Sequence, residues 1–243
     1  MRTTGKLLAE RETCWRLCLY RATWGGDSII KRSDGKRNKR RSPFGSDEEH
    51  PDFVPLETNP NRYREFHKRF IKVLRSFSDD VIPFSMDEAV VNFSSYHLVY
   101  KDMLRLARDI KAKIKSDMGD YFTGSIGIAP NEFLAKLGTE LQKPDGLVLI
   151  TPENINEVLS KLKLTDLPGI SKNMALRLVT GGIYSPVQLR HESPGKVKQA
   201  CKSIIGEFWH YRLNFGEVDL WHDKKYKTMQ AMRQISAGQR ASV

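Results

Sequence analysis

The stretch PFSMDEAVVNF, from Pro83 to Phe93, places two adjacent acids inside a segment that is otherwise typical of a buried β-hairpin. Its apolar ends predict a strand, a turn and a second strand, with Asp87 and Glu88 between them. An ionised carboxylate is costly to bury unless it is paired or bound to a metal ion. The two acids therefore indicate either a solvated turn or a cation site.

The composition limits the class of protein. A chain of 243 residues, 40% of them hydrophobic, can form one sizeable domain or two smaller ones. Lys and Arg number 40 against 29 Asp and Glu, a net charge of +11, which favours nucleic acid as a partner, although a solvated basic surface fits equally well. The three cysteines, Cys14, Cys18 and Cys201, show neither disulfide nor zinc spacing. No apolar run approaches the roughly 18 residues of a membrane span, so we expect a cytoplasmic protein without membrane contact.

Working outward from the hairpin, the hydrophobic pattern predicts an α+β fold in which helices cover a sheet. A helix is predicted from Asn61, an amphipathic helix over 101–120, a strand over 121–130, a helix over 131–143 and a strand over 146–151. After Pro152 only helical patterns remain, which predicts a small all-helical domain. The expected organisation is a basic, disordered or linker segment (1–50), a sheet domain (51–152), a helical domain (153–221) and a basic end (222–243).

Three motifs carry candidate chemistry. Asp87 and Glu88 could hold two Mg²⁺ ions roughly 4 Å apart for phosphoryl transfer, or form an ordinary solvated turn. In LPGISKNMALRLVTGGI (167–183), a turn at Gly169 and the helix after it could bind phosphate through free backbone N–H groups and Lys172. A plain helix-loop-helix corner fits that spacing equally. QKPDG (142–146) either brings Lys143 to a phosphate or is a surface turn.

Taken in order, FSMDEAVVNF, GSIGIAPNEFLAKLGTELQKPDGLVLI and LPGISKNMALRLVTGGI resemble the palm and thumb of Y-family DNA polymerases, the DinB or DNA polymerase IV class of translesion enzymes. The resemblance covers roughly residues 51–243. It implies a UmuC-like palm sheet over 51–152 and a thumb with a helix-hairpin-helix over 153–221. It also implies template-directed DNA synthesis, in which a nucleotide passes from a dNTP to a primer 3′-hydroxyl during translesion synthesis and DNA repair.

The same resemblance implies roles for individual residues. Asp87 would bridge two catalytic Mg²⁺ ions, and Glu88 would help to hold the ion that activates the primer 3′-hydroxyl. Lys143 would contact the incoming triphosphate. The turn Gly169, Ile170, Ser171 and Lys172 would hold the DNA backbone. Primer–template DNA and a dNTP are the implied partners, and a sliding clamp or a complementing chain is a further candidate.

The sequence also departs from the family pattern. Family members begin with a strand carrying Asp-x-Asp, followed by an aromatic steric gate, and residues 1–50 show no such pattern, so we expect one sheet position to be unfilled. Ser171 and Glu132 stand where the family usually has glycine and lysine. The closing segment 232–243 resembles the lead-in to the family's little-finger domain, which we expect to be absent.

These departures lead to two functional hypotheses. The first is a truncated or rearranged translesion polymerase that is weakly active or inactive alone, because two metal ions would depend on one Asp–Glu pair. The second is a non-catalytic DNA-binding remnant that uses the helix-hairpin-helix and the basic segments.

Overall fold

The computed structural model describes residues 16–23, 59–96 and 98–218, with only the backbone described for 20–23. The strands are β1 (Arg16–Thr23), β2 (Val81–Pro83), β3 (Glu88–Asn92), β4 (Thr123–Ala129) and β5 (Leu147–Leu149). The helices are α1 (Pro60–Arg75), α2 (Met103–Met118), α3 (Glu132–Leu141), α4 (Ile155–Ser160), α5 (Lys172–Thr180), α6 (Pro186–His191), α7 (Pro194–Cys201) and α8 (Ile205–Leu213). The basic cluster at 36–41 and the segment 222–243, with its predicted little-finger lead-in, lie outside the described residues.

The five strands form one sheet in the order β2-β3-β1-β4-β5. β1 runs antiparallel to both β3 and β4, β2 is antiparallel to β3, and β5 is parallel to β4. Helices cover both faces of this sheet, and α4 to α8 follow it as an all-helical region. The α+β class predicted from the sequence is therefore confirmed.

The central strand β1 corrects the prediction for the N-terminal segment. We expected residues 1–50 to contribute no strand and one sheet position to stay unfilled, but Arg16–Thr23 fills the middle of the sheet. Its Cα partners are Val91 and Ile128 for Leu17, and Ala89 and Ile126 for Leu19. The period-2 signal of a strand is weak here because both faces are buried, so Leu17, Cys18 and Leu19 form a continuous apolar run.

The alternation of side chains along β1 divides the interior into two cores. Leu17 and Leu19 join the core under α1 and α2, whereas Cys18 points into the core under α3, which continues into the helical region. All three side chains are fully buried. One strand therefore contributes to both hydrophobic cores.

Local sequence signals position the covering helices. The predicted apolar stripe of α2 is buried, and Asp102 caps that helix by accepting a hydrogen bond from the backbone N–H of Arg105. Asn131 caps α3 as predicted, through the N–H of Leu134. The last helical stretch is divided into α7 and α8, because Lys202 adopts a left-handed conformation that ends α7 before α8 begins.

The sheet and the helical region are joined by polar contacts. The buried Asn131 amide donates to the carbonyl oxygens of Arg212 (2.8 Å), in the last turn of α8, and of Gly216 (3.2 Å), just after that helix. At the start of β1, the Arg16 guanidinium pairs with Glu217 at 2.8 Å. Within residues 16–23, 59–96 and 98–218, no helix has both the length and the apolar character needed to cross a membrane.

Replacing Leu17 by Ala tests the placement of β1. Because Leu17 is fully buried between two paired strands, we expect the substitution to lower the free energy of unfolding by about 2–4 kcal/mol, measured by urea denaturation. Leu98, which is 78% exposed, is the matched control, and Leu98→Ala should change that free energy by no more than about 0.5 kcal/mol. Equal effects of the two substitutions would contradict a central β1.

Candidate functional site

The acidic hairpin lies at one end of the sheet, between β2 and β3. Asp87 ends the turn and Glu88 is the first residue of β3. The backbone N–H groups of Phe84 and Ser85 both donate to the carbonyl oxygen of Glu88, at 2.8 and 3.1 Å, and the Ser85 hydroxyl donates to Oδ1 of Asp87 at 2.6 Å. Both acids are half-buried. The turn thus fixes two consecutive acids at this end of the sheet.

A row of residues across three strands connects this hairpin with the turn that carries Lys143. Glu88 on β3 is the Cα partner of Tyr20 on β1, which in turn is the partner of Ser125 on β4. The Ser125 hydroxyl donates to the carbonyl oxygen of Gln142 and accepts from the N–H of Gly146, both at 3.0 Å. Glu88 and the 142–146 turn therefore lie at the same end of the sheet.

A lysine on α2 supports the other side of the 142–146 turn. The Lys111 ammonium donates to the carbonyl oxygen of Asp145 at 2.5 Å and pairs with the Asp145 carboxylate at 2.9 Å. Asp145 itself has a left-handed backbone (φ 58°), which aspartate tolerates better than most residues. The turn is thus tied to both β4 and α2.

α3 crosses this end of the sheet at close range because two glycines face each other. A Cβ on Gly127 would lie 2.0 Å from the carbonyl oxygen of Ala135, and a Cβ on Gly138 would lie 3.0 Å from the Cα of Gly127. Gly127 could carry a side chain only if the helix moved away, whereas at Gly138 the strand would have to give by a few tenths of an ångström. This close packing brings the side chains of α3 to the acidic hairpin.

Four charged side chains form a continuous chain of ion pairs, which we call the charge ladder: Glu88, Lys136, Glu140 and Lys143. The Lys136 ammonium pairs with Oε1 of Glu88 and lies 3.5 Å from Oε1 of Glu140. Oε2 of Glu140 accepts the Lys143 ammonium at 2.6 Å. The ladder connects the acidic hairpin to the predicted phosphate-binding lysine.

The ion pair of Lys136 and Glu88 affects the pKa of Lys136 itself and of the nearby Cys18 thiol. Burial alone would lower the pKa of the Lys136 ammonium, but the hydrogen bond and negative charge of Glu88 outweigh it and raise that pKa. Burial, together with the nearby Glu88 carboxylate, raises the pKa of the Cys18 thiol. The neutral thiol lies 3.9 Å from Oε1 of Glu88. Glu88 is thus held between an ammonium and a neutral thiol.

Comparison with known proteins assigns a family resemblance to this arrangement. Residues 39–140 match the impB/mucB/samB family. DNA polymerase IV of Pseudomonas syringae pv. tomato is 32% identical over 179 residues, which cover 74% of this chain and 50% of that protein. DNA polymerase IV of Aeromonas hydrophila subsp. hydrophila is 37% identical over 162 residues, covering 64% and 46%. The chain therefore spans about half the length of the curated relatives it matches.

Solved structures give the same result for the fold. DinB from Sulfolobus solfataricus superposes with a TM-score of 0.59 at 24% identity, covering 69% of this chain and 50% of that one. A post-insertion binary complex of Dbh DNA polymerase gives 0.61 at 24% identity, covering 70% and 49%. Over this part of its length, the chain resembles the Y-family DNA polymerases. Its sheet and covering helices have the fold of the Y-family palm.

The first carboxylate motif of the Y family is the main difference. The resemblance implies a first strand with Asp-x-Asp, and β1 fills a central position of the sheet, but its sequence RLCLYRAT contains no acid. The resemblance also implies dependence on a divalent metal ion. Asp87 and Glu88 fit such an ion chemically, as hard oxygen donors. In the part of the chain that the structure describes, however, no three His, Cys, Asp or Glu side chains are grouped so as to hold one.

The turn at the start of α5 has the geometry of an open helix N-terminus. Gly169 has a positive φ of 84°, and Ser171 caps the helix by accepting from the N–H of Met174 at 3.4 Å. Lys172 is exposed, whereas Ile170 is 4% exposed and packs in the core. The N–H of Ile170 already donates to the carbonyl oxygen of Leu167 at 3.1 Å, whereas Ser171 and Lys172 are exposed in this turn. The DNA-binding role of the turn remains a prediction.

Lys136 and Glu140 were not among the site residues predicted from the sequence. A signal was present, because Lys136, Glu140 and Lys143 recur at the spacing of one helix face, and Lys–Glu pairs at i,i+4 interact. The partnership of Lys136 with Glu88 could not be inferred, since it depends on how α3 crosses the sheet.

Replacing Lys136 by Met should destabilise the fold. Glu88, whose side chain is 15% exposed, would lose its ammonium partner beside a buried thiol, and we expect a loss of about 1–2 kcal/mol in the free energy of unfolding. The added substitution Glu88→Gln should recover part of this loss, because no charge then remains unpaired. Lys161→Met, in an exposed pair with Glu157, is the control and should have little effect. A similar loss in Lys136→Met and Lys161→Met would contradict the special role of the Glu88 pair.

Proposed function

We propose that this chain carries the nucleotidyl-transfer site of a translesion DNA polymerase and adds a nucleotide from a dNTP to a primer 3′-hydroxyl on a DNA template, weakly when alone. The supporting observation is that Glu88 and the turn of Lys143 lie at the same end of the sheet, connected through Ser125 and the charge ladder. A carboxylate pair opposite a phosphate-binding lysine is the arrangement that phosphoryl transfer requires. In this reaction the primer oxygen bonds to the α-phosphorus, and pyrophosphate leaves.

We assign the roles within the site as follows. Asp87 and Glu88 would hold the divalent ions, two Mg²⁺ in the complete site, as hard oxygen donors. When bound, such ions neutralise the charge that develops on the transferred phosphoryl group. Lys143, whose side chain is 28% exposed, binds the triphosphate. The missing carboxylate of β1 accounts for the low activity we expect of the chain by itself.

In this proposal the helical region binds the DNA backbone. The helix N-terminus after Gly169, with Ser171 and Lys172, faces solvent and can bind a backbone phosphate through N–H groups and one ammonium. With the net charge of +11, this contact gives binding without base readout. Primer–template DNA is the proposed partner, and a clamp or a complementing chain is a further candidate.

One observation favours a second function, a non-catalytic DNA-binding remnant. β1 occupies its place in the sheet but carries no acid, and Lys136 already compensates Glu88. A protein of this kind would bind DNA through the helical region without extending a primer. The two functions predict different results in a primer-extension assay.

Primer extension with Mg²⁺ and all four dNTPs distinguishes them. We expect slow, Mg²⁺-dependent extension by the parent chain, and a fall of at least about 100-fold in the Asp87→Ala variant because a metal ligand is lost. Asp117→Ala removes an acid that pairs with Lys113 on α2 and should extend as the parent does. A folded parent chain that binds DNA but extends no primer would favour the remnant.

DNA affinity measured over a range of salt concentrations tests the thumb turn. Lys172→Ala should weaken binding a few-fold and lower the slope of log affinity against log salt by about 1, because one phosphate contact is lost. Lys161→Ala, which removes another exposed lysine of the helical region, should leave the slope unchanged. The same slope in the Lys172 variant and the parent would contradict the phosphate contact.

A further inference from the structure

The charge ladder contains equal numbers of opposite charges. Glu88 and Glu140 alternate with Lys136 and Lys143, so its two carboxylates and two ammoniums cancel. The side chains of Lys136, Glu140 and Lys143 are 27%, 38% and 28% exposed, and that of Glu88 is 15% exposed. Such partial burial limits the screening of these charges by solvent. A change of charge at one end of the ladder therefore alters the ion pairs at the other end.

Each end of the ladder is a group that would bind a ligand of the opposite charge. Glu88 ends it at the acidic hairpin, where a cation would bind, and Lys143 ends it at the turn where a phosphate would bind. This reading depends on the proposed function for the identity of the two ligands. The two inner residues, Lys136 and Glu140, are not ligands in that function and have no other assigned role.

We propose that the charge ladder couples cation binding at Glu88 to phosphate binding at Lys143. A cation that takes over the Glu88 carboxylate competes with Lys136 for it. Lys136 then turns to Glu140, which already lies 3.5 Å away. The Glu140 carboxylate then interacts with two ammonium groups, those of Lys136 and Lys143. The excess positive charge near Lys143 favours binding of an anion there.

Without ligands, the ladder holds Lys143 in an ion pair within the protein. With Glu88 paired to Lys136, Glu140 is left to hold Lys143 at 2.6 Å, so a phosphate must compete with an internal carboxylate. Coupling of this kind is reciprocal, so a phosphate that draws Lys143 away frees Glu140 for Lys136 and exposes Glu88 to a cation. Lys136 and Glu140 are thus positioning residues that make each ligand favour the other.

The state of Lys143 can be measured without DNA, dNTP or catalysis. Competitive modification of the intact protein by acetic anhydride, followed by mass spectrometry, gives the rate at which the Lys143 amine reacts. We expect Glu88→Gln to raise this rate about threefold, because Lys136 shifts to Glu140 and loosens the pair of Glu140 with Lys143. Mg²⁺ alone should raise the rate in the wild-type protein in the same direction.

Matched variants separate coupling through the ladder from a general change in charge. Glu157→Gln removes a carboxylate outside the ladder, one that pairs with Lys161, and should leave the Lys143 rate unchanged. In a Lys136→Met background, neither Glu88→Gln nor Mg²⁺ should alter it. Glu140→Gln changes a partly exposed side chain on α3, and it should raise the rate by itself and abolish the response to Mg²⁺.

Two results would overturn the proposal. One is that Glu88→Gln raises the modification rate of Lys143 by the same factor in the Lys136→Met background as in the wild-type protein. The other is that Mg²⁺ does not change the modification rate of Lys143 in the wild-type protein. Neither depends on polymerase activity. A chain that extends no primer but shows the expected pattern of rates would contradict the proposed function and support the ladder.

Discussion

The hydrogen bonding of β1 on both of its edges is the constraint on which the rest of the structure depends. β3 and β4 are far apart in sequence, and they belong to one sheet only because β1 pairs antiparallel with each of them. Without it, each would expose a row of unpaired backbone groups. The same strand separates the two hydrophobic cores, since Cys18 points to one and its neighbours Leu17 and Leu19 to the other.

The position of the candidate site follows from that sheet. Because β1 sets the register of both neighbours, Glu88 and Ser125 lie in one row across the strands. Ser125 then holds the turn of Lys143, and Gly127, the partner of Cys18, lets α3 approach until Lys136 reaches Glu88. The site thus depends on backbone register and on the absence of one side chain, at Gly127, as much as on its charged residues.

The sequence predicted the elements whose local signals agree with their final environment. The hairpin at 83–93, the apolar stripe of α2 and the Asn131 cap were evident because periodicity and capping are local properties. β1 was missed because burial on both faces removes the alternation that marks a strand. The pair of Lys136 and Glu88 was missed because its members are far apart in sequence and only tertiary packing joins them.

Such a sheet can keep its fold while losing its chemistry, because the fold and the chemistry depend on different groups of the same strand. β1 keeps its place through backbone N–H and C=O groups and three buried side chains, and none of these requires an acid. A metal site depends instead on the charge and number of its carboxylates. The sheet therefore fixes the point at which the charge ladder meets the acidic hairpin, while the side chains at that point decide which chemistry is possible. In this chain Lys136 stands at that point, so the positive charge beside Glu88 belongs to the protein itself.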